Sequence, residues 1–302
     1  MIGYPGANAI PGRETGCAEG CFVLASLNYL GEMSAKPAFY VHDRSKDRLR
    51  LVSRTVPIAD ARQSWPAPAL DIEGFCLVKS PPIATGWDPT AISTWDPASQ
   101  ASWADFRQAM QVYVPEIQRL ILDVTGGSRA IVTPVGVIRI GERSARAVKS
   151  AAHRPARFVH ADYSDESAVS WAESFLGRGH LRKPRYAIYN AWRVLTPPPQ
   201  DAPLALCDAR SVKPGNEVSA DAIQDYPGMQ PDSFEASIFR YDPEHRWSYF
   251  SDMTPDEVVV FKGFDSDSDR AHRVPHSAFD NPHCPPLTPA RVSVDFRMLV
   301  VF

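Results

Sequence analysis

The chain has no apolar run approaching the ~20 residues that a membrane-spanning helix requires. Its start, MIGYPGANAIPG, has no basic segment leading into an apolar one, so a secretory leader is not expected. Excess charge of either sign is also missing: 32 Lys and Arg against 35 Asp and Glu leave a net −3. That removes the electrostatic case for nucleic acid or an anionic membrane as partner. Cysteine is scarce and odd in number: Cys17, Cys21, Cys76, Cys207 and Cys284 are too scattered for a disulfide framework. They suit a reducing, cytoplasmic setting. Cys17 and Cys21 have a spacing that metal pairs use, but no second Cys/His pair nearby completes a zinc site, so they read as free thiols. Internal repeats and low-complexity tails are absent as well.

What is present is a chain of 302 residues, 44% hydrophobic and 22% charged, long enough to bury a substantial core. Its 28 prolines gather in connections such as LTPPPQDAP and NPHCPPLTPA, marking turns between short strands rather than a helical bundle. Strand-like segments recur: AFYVHD, LRLVSRTVPIADAR, GFCLVKSPP and ARFVHAD, then RYAIYNAWRVL, LALCD, SFEASIFRY, RWSYFS, EVVVFKGFD, HRVPHSAF and RVSVDFRMLVVF. Two segments have helical period. Between Ala101 and Val124 the residues Phe106, Met110, Tyr113, Val114, Ile117, Leu120, Ile121 and Val124 recur at steps of three and four, ahead of a Gly126-Gly127 stop; Pro115 inside the run predicts a kink or a break. SDESAVSWAESFLG is the second, capped by Ser164 or Asp165 and stopped by Gly177. The pattern predicts a mainly β fold with flanking helices, a barrel or sandwich forming a single catalytic domain over 1–302. Residues 1–150 are expected to supply strands and a supporting helix, and 151–302 most of the core and the site.

The chemistry-bearing feature is FVHADYS. In an extended chain His160 and Asp162, two residues apart, point the same way. Two histidines and a carboxylate on one face are the ligand set of non-haem Fe(II) oxygenases. A distal histidine must then come from a later strand. His42 and His153 precede the pair, His180 and His245 lie in turns, and of His272, His276 and His283 only His276 opens an apolar-flanked strand. Behind it, Arg291 and Ser293 form an Arg-x-Ser pair on one strand face, with Arg297 on the same face. A guanidinium fork suits the far carboxylate of 2-oxoglutarate, and register alone does not separate Arg291 from Arg297 as that anchor. A zinc hydrolase with the same three ligands, or a β-barrel small-molecule-binding protein without catalysis, are the alternative readings.

Longer motifs sharpen this. VPHSAFDNP, with His276-Ser277-Ala278-Phe279-Asp280-Asn281-Pro282, resembles the His-Ser/Thr-Ala-Phe-Asp-x-Pro element of the fungal hydroxylase/desaturase family, which includes the gibberellin desaturase and relatives of the small subunit of cephamycin 7α-methoxylation. Pro203-Leu204-Ala205-Leu206-Cys207-Asp208 and Asn190-Ala191-Trp192-Arg193 match two further family elements, although Val194 stands where the family usually has proline. WSYFSDMTPDEVVVFKGFDS and PARVSVDFRMLVVF are similar too, and GFCLVKSP and VPIADAR extend the likeness to the amino-terminal half. The resemblance implies a double-stranded β-helix (jelly-roll, cupin-like). It also implies an Fe(II)/2-oxoglutarate-dependent dioxygenase of secondary metabolism using O2 on a small natural-product intermediate, by hydroxylation, desaturation or oxidative cyclisation. By position, His160, Asp162 and His276 would hold iron and Arg291 would anchor 2-oxoglutarate, with Ser293 beside it. Asn190 is a candidate cosubstrate contact. Trp192, Arg193 and Tyr163 are weaker candidates for the substrate pocket, as are Trp65, Trp87 and Trp95. Arg193 with Asp208, and Lys262 with Asp265, are expected as structural ion pairs.

Overall fold

The computed structural model describes residues 22–80, 100–133, 136–144, 153–177, 185–226 and 228–302. Two β-sheets form a double-stranded β-helix. The larger has nine strands in the order β1-β3-β12-β9-β14-β7-β11-β10-β2, and the smaller runs β4-β13-β8-β15-β5, with β6 also pairing β15. In chain order the amino-terminal strands are β1 (Phe22–Leu30), β2 (Ala38–Tyr40), β3 (Leu51–Asp60), β4 (Phe75–Lys79), β5 (Arg129–Val132) and β6 (Val137–Ile140). Then come β7 (His160–Ala161), β8 (Tyr186–Val194), β9 (Leu204–Cys207), β10 (Glu217–Gln224) and β11 (Asp232–Phe239). The last are β12 (Trp247–Tyr249), β13 (Glu257–Asp265), β14 (His276–Ala278) and β15 (Val292–Val301). Both sheets draw strands from each half of the chain. Among the described residues no helix is long and apolar enough to cross a membrane.

Helix α1 (Gln100–Thr125) lies on the outer face of the smaller sheet. Its periodic Phe106, Met110, Tyr113, Ile117 and Ile121 pack on Tyr189 and Ala191 of β8, Val258 and Val260 of β13, and Val292, Val294, Phe296 and Met298 of β15. Each such buried side chain contributes about 1.5–3 kcal/mol. The helix runs unbroken through Pro115, contrary to the kink or break expected from sequence. Pro115 and Gln111, whose carbonyl loses its intrahelical donor to the proline ring, are both exposed, so water can satisfy the freed acceptor. Gly126 ends the helix at φ +72°, donating its N–H to Leu122 O at 2.9 Å.

Because α1 covers one face and the site the other, β8 and β13 are buried along their whole length. Side-chain alternation then decides which residues reach the interior. On β8, Tyr189, Ala191 and Arg193 turn to the helix side, while Asn190 and Trp192 turn inward. Arg193 is accordingly not a pocket residue. Its guanidinium sits 5.0 Å from the Tyr113 ring, 3.6 Å from Glu116 and 3.0 Å from Ser80 Oγ. The expected pairing of Arg193 with Asp208 is replaced too, since Asp208 binds Arg210 and Arg246 at 2.8 and 3.0 Å. Lys262 does meet Asp265, at 2.6 Å and fully buried, where β13 bulges after Lys262.

Helix α2 (Asp165–Leu176) begins immediately after the FVHAD segment. Ser164 is its N-cap, accepting from Ser167 N while Ser167 Oγ accepts from Ser164 N, a reciprocal capping box. Ser164 N also donates to Glu235 O of β11 at 3.1 Å, so the chain leaving Asp162 is fixed at both ends of the turn.

Candidate metal centre

β7 is only two residues long, and its neighbours position the site. His160 pairs with Ile238 of β11 on one side and with His276 of β14 on the other. The imidazoles of His160 and His276 therefore stand side by side, ring centroids 4.3 Å apart. Each Nδ1 lies on a backbone carbonyl two residues upstream, His160 on Phe158 O at 2.9 Å and His276 on Val274 O at 3.1 Å. A carbonyl only accepts, so both Nδ1 atoms carry the proton and both Nε2 atoms present a lone pair. Burial, then the neighbouring His276, pushes the His160 imidazole down to about 3, and burial also lowers His276. Both rings are thus neutral near pH 7, as metal ligation requires.

Asp162 completes a triad. One ligating atom from each of His160, Asp162 and His276 lies within 4.8 Å of the others, and all three residues are buried. Burial would raise the Asp162 carboxyl, but the adjacent Arg297 guanidinium, which also hydrogen-bonds to it, outweighs burial and holds the acid far below the usual carboxylate range. Two neutral nitrogens and a carboxylate oxygen, with no thiolate, fit a hard or borderline divalent ion such as Fe(II).

The triad opens into a cleft that is partly open to solvent. Arg291, Arg297 and Trp192 line it as expected, and so do Arg139 of β6, Asp295 of β15, Phe261 and Leu204. Arg291 is nearly fully buried; its Nη1 donates to Ala202 O, its backbone N to Asp201 Oδ1 at 2.9 Å, and its guanidinium lies 5.3 Å from the Trp192 ring centre. Burial pushes its pKa down to about 10, so it stays charged at neutral pH. Arg297 donates to Asp162 Oδ1 at 2.7 Å.

Besides Arg193, four expected residues do not reach the cleft wall. Ser293 is buried opposite Arg139 and Val194, and its Oγ has no partner among the described residues. Asn190 is fully buried beneath the triad, donating to Asp162 Oδ2 at 2.7 Å. The Tyr163 ring packs beside Trp171 of α2, centroids 5.6 Å apart. Trp65 is 90% exposed, away from the cleft. Cys17, Cys21, Trp87, Trp95 and His180 lie outside the described residues. Arg139 and Asp295 escaped the sequence reading, although Arg291-Val-Ser-Val-Asp295-Phe-Arg297 shows the period of two that puts Asp295 on the arginine face.

A family model described as an oxidoreductase/YMDC permease-like domain matches residues 27–301. The chain belongs to this family. Its relatives include fungal hydroxylase/desaturases, the likeness that the HSAFDNP and PLALCD elements led us to expect. The hydroxylase/desaturase efuI of Hormonema carpetanum is 29% identical over 92% of this chain and 94% of its own length. The hydroxylase/desaturase asaB of Aspergillus flavus is 37% identical over 47% of this chain, a match spanning 66% of asaB. The Fe(II)/2-oxoglutarate-dependent dioxygenase nvfI of Aspergillus novofumigatus is 28% identical over 62% of this chain and 66% of its own. A solved structure of the iron and alpha-ketoglutarate-dependent endoperoxidase NvfI superposes with a TM-score of 0.78 at 23% identity, covering 95% of this chain and 99% of that one. That likeness bears out the double-stranded β-helix fold.

Proposed function

We propose that the protein is a non-haem Fe(II)/2-oxoglutarate-dependent oxygenase of secondary metabolism, cytoplasmic, oxidising an unactivated C–H bond of a small natural-product substrate. The observation that carries this is the convergence of His160, Asp162 and His276 within 4.8 Å, both imidazoles turned by their Nδ1 contacts to present Nε2. His160, Asp162 and His276 would hold the iron. The bound metal, with 2-oxoglutarate and O2, supplies oxidising power for C–H cleavage, 2-oxoglutarate leaving as succinate and CO2.

The chain's own residues do the rest. Arg291 would supply a charged donor to the far carboxylate of 2-oxoglutarate: its position is fixed by Ala202 O, Asp201 and the Trp192 face, and its Nε has no partner among the described residues. Phe261 packs edge-on to His276, centroids 4.8 Å apart, and with Leu204 gives the cleft an apolar wall that orients a substrate and limits water near the ligands. Hydroxylation, desaturation, ring closure and endoperoxide formation are all compatible with this arrangement. The zinc-hydrolase alternative gains no support from the relatives whose names state an activity, which are hydroxylases, desaturases, dioxygenases or oxidoreductases.

The test is anaerobic addition of Fe(II) and then 2-oxoglutarate to the metal-free protein. A weak visible band near ~500 nm is expected, from 2-oxo acid chelation at a site with open positions. Admission of O2 should convert 2-oxoglutarate to succinate. Absence of the band, with zinc retained tightly instead, would overturn the reading.

A further inference from the structure

The ligands are held from two sheets. His160 and His276 belong to the nine-stranded sheet, whereas Asp162 has left it and is held from the opposite side by β8 and β15. Asn190 and Arg297 are direct cross-strand partners in the β8–β15 pairing, and each donates to a different oxygen of Asp162 at 2.7 Å. Both donors also face a second carboxylate. Asn190 Nδ2 lies 3.1 Å from Asp295 Oδ2, and Arg297 Nη2 lies 3.9 Å from the same atom. Asp295 stands two residues before Arg297 on the inward face of β15, opposite Trp192. One amide and one guanidinium thus face both a buried acid, Asp162, and a largely buried one, Asp295, and only the first belongs to the metal triad.

We infer that Asp295 is a positioning residue for the metal centre, holding Asn190 and Arg297 so that they present Asp162 to the ion. This rests on the iron-site assignment of the proposed function. The carboxylate of Asp295 is largely buried, and the donors facing it are the same pair that grips Asp162: Asn190 within hydrogen-bond distance and Arg297 at 3.9 Å. With Asp295 in place, the Asn190 amide has its Nδ2 directed between two oxygens and cannot rotate without losing both. Arg297 has an acid on each side, so its charge is divided between them. Removal of Asp295 directs the whole guanidinium charge at Asp162, where it competes with the metal for the same carboxylate. On this reading Arg297 is engaged by Asp162, which leaves Arg291 as the proposed anchor for 2-oxoglutarate.

The experiment titrates metal-free protein with Co(II) alone, following its visible d–d absorption, for wild type, Asp295→Ala and Asp295→Asn. Loss of a residue that orients a ligand weakens metal binding by roughly 10–100-fold, and Asp295→Ala should fall in that range. Asp295→Asn retains an acceptor for Asn190 and loses only the charge facing Arg297, so its loss should be smaller, on the order of threefold or more. The KM for 2-oxoglutarate should change by less than about twofold in either variant, because the anchor is elsewhere. Far-ultraviolet circular dichroism checks folding, and if the alanine variant fails to fold the asparagine variant decides. Wild-type Co(II) affinity and spectrum in the folded variants would overturn the inference, as would a tenfold rise in KM with unchanged Co(II) binding. A wild-type protein that binds no Co(II) would instead bring down the iron-site assignment itself.

Discussion

His276 stands directly opposite His160 in the β7–β14 pairing, and the register of two very short strands is what sets their rings 4.3 Å apart. One histidine comes from a segment just ahead of α2 and the other from more than a hundred residues later. The site therefore forms only once the larger sheet has closed.

That dependence makes His276→Ala informative. The imidazole contributes Nε2 to the triad, whereas its strand is held by backbone pairing with β9 that the substitution leaves in place. We expect a folded protein whose Fe(II) or Co(II) binding drops by more than the roughly 10–100-fold typical of losing a ligand's hydrogen-bond partner. Calorimetric titration with metal reads this directly. Retention of iron-dependent 2-oxoglutarate decarboxylation by the variant would remove His276 from the ligand set.

Arg291 is expected to control cosubstrate affinity. Arg291→Gln should raise the KM for 2-oxoglutarate by about tenfold or more, the value of one charge-assisted hydrogen bond. Arg291→Lys should not rescue it fully, because an ammonium cannot reproduce the fork held against Ala202 O and the Trp192 ring. Steady-state kinetics with 2-oxoglutarate as the varied component decides the matter; an unchanged KM in both variants would move the anchor elsewhere.

Much of this site was legible before the fold. Periodicity marked α1, and chain order with strand context selected His276 from the later histidines. The Arg-x-Ser pattern selected the strand carrying Arg291. What was not legible depended on which face of a strand met which partner. Arg193 and Trp192 are adjacent in sequence, yet one packs on Tyr113 under α1 and the other lines the cleft. Asn190 was read as a cosubstrate contact because its reach to Asp162, 28 residues away, is created only by the facing of the two sheets. Strands β1, β5, β6 and β10 were not singled out. β5 is four residues long, and in β10 most of the side chains are small or polar, so their strand character comes from pairing partners more than from local preference.

Gly141 limits how Arg291 can be placed. Its N–H donates to Arg291 O at 2.7 Å, and a Cβ there would lie 2.8 Å from an Asp201 carboxylate oxygen and 3.2 Å from Arg291 N. Asp201 is buried and already accepts from Arg291 N, so it has little room to retreat. Gly141→Ala should raise the KM for 2-oxoglutarate with a smaller effect on Co(II) affinity, because the strain falls on the Arg291 end of the cleft.

The packing of α1 against the smaller sheet should dominate stability. Phe296 is fully buried and meets Tyr113 edge-on, centroids 5.2 Å apart. Phe296→Ala should cost about 3–5 kcal/mol in denaturant unfolding, as truncation of a large buried aromatic does. A cost below about 1 kcal/mol would mean that the helix closes the void by moving.

Stability should also depend on pH through a histidine remote from the site. His245 is buried, stacked on Tyr29 with ring centroids 5.8 Å apart and edge-on to Trp247, and its Nε2 meets Asn216 Oδ1 at 3.3 Å. Burial lowers its pKa from the ordinary 6.5, against the pull of Asp242 and with a smaller contribution from Lys213. In the unfolded chain the ring takes a proton as pH falls through about 6.5, while the folded protein resists until a lower pH. Between those two values the unfolded state binds more protons, so this group's contribution is complete above pH 6.5 and is lost as the pH falls toward the folded-state value. His245→Phe keeps the stack and removes the proton site. Its unfolding free energy should fall less steeply than that of wild type from pH 7 to pH 5, by up to one proton's worth of slope. Parallel curves from urea titrations across that range would show that the ring does not contribute to the acid sensitivity of the fold.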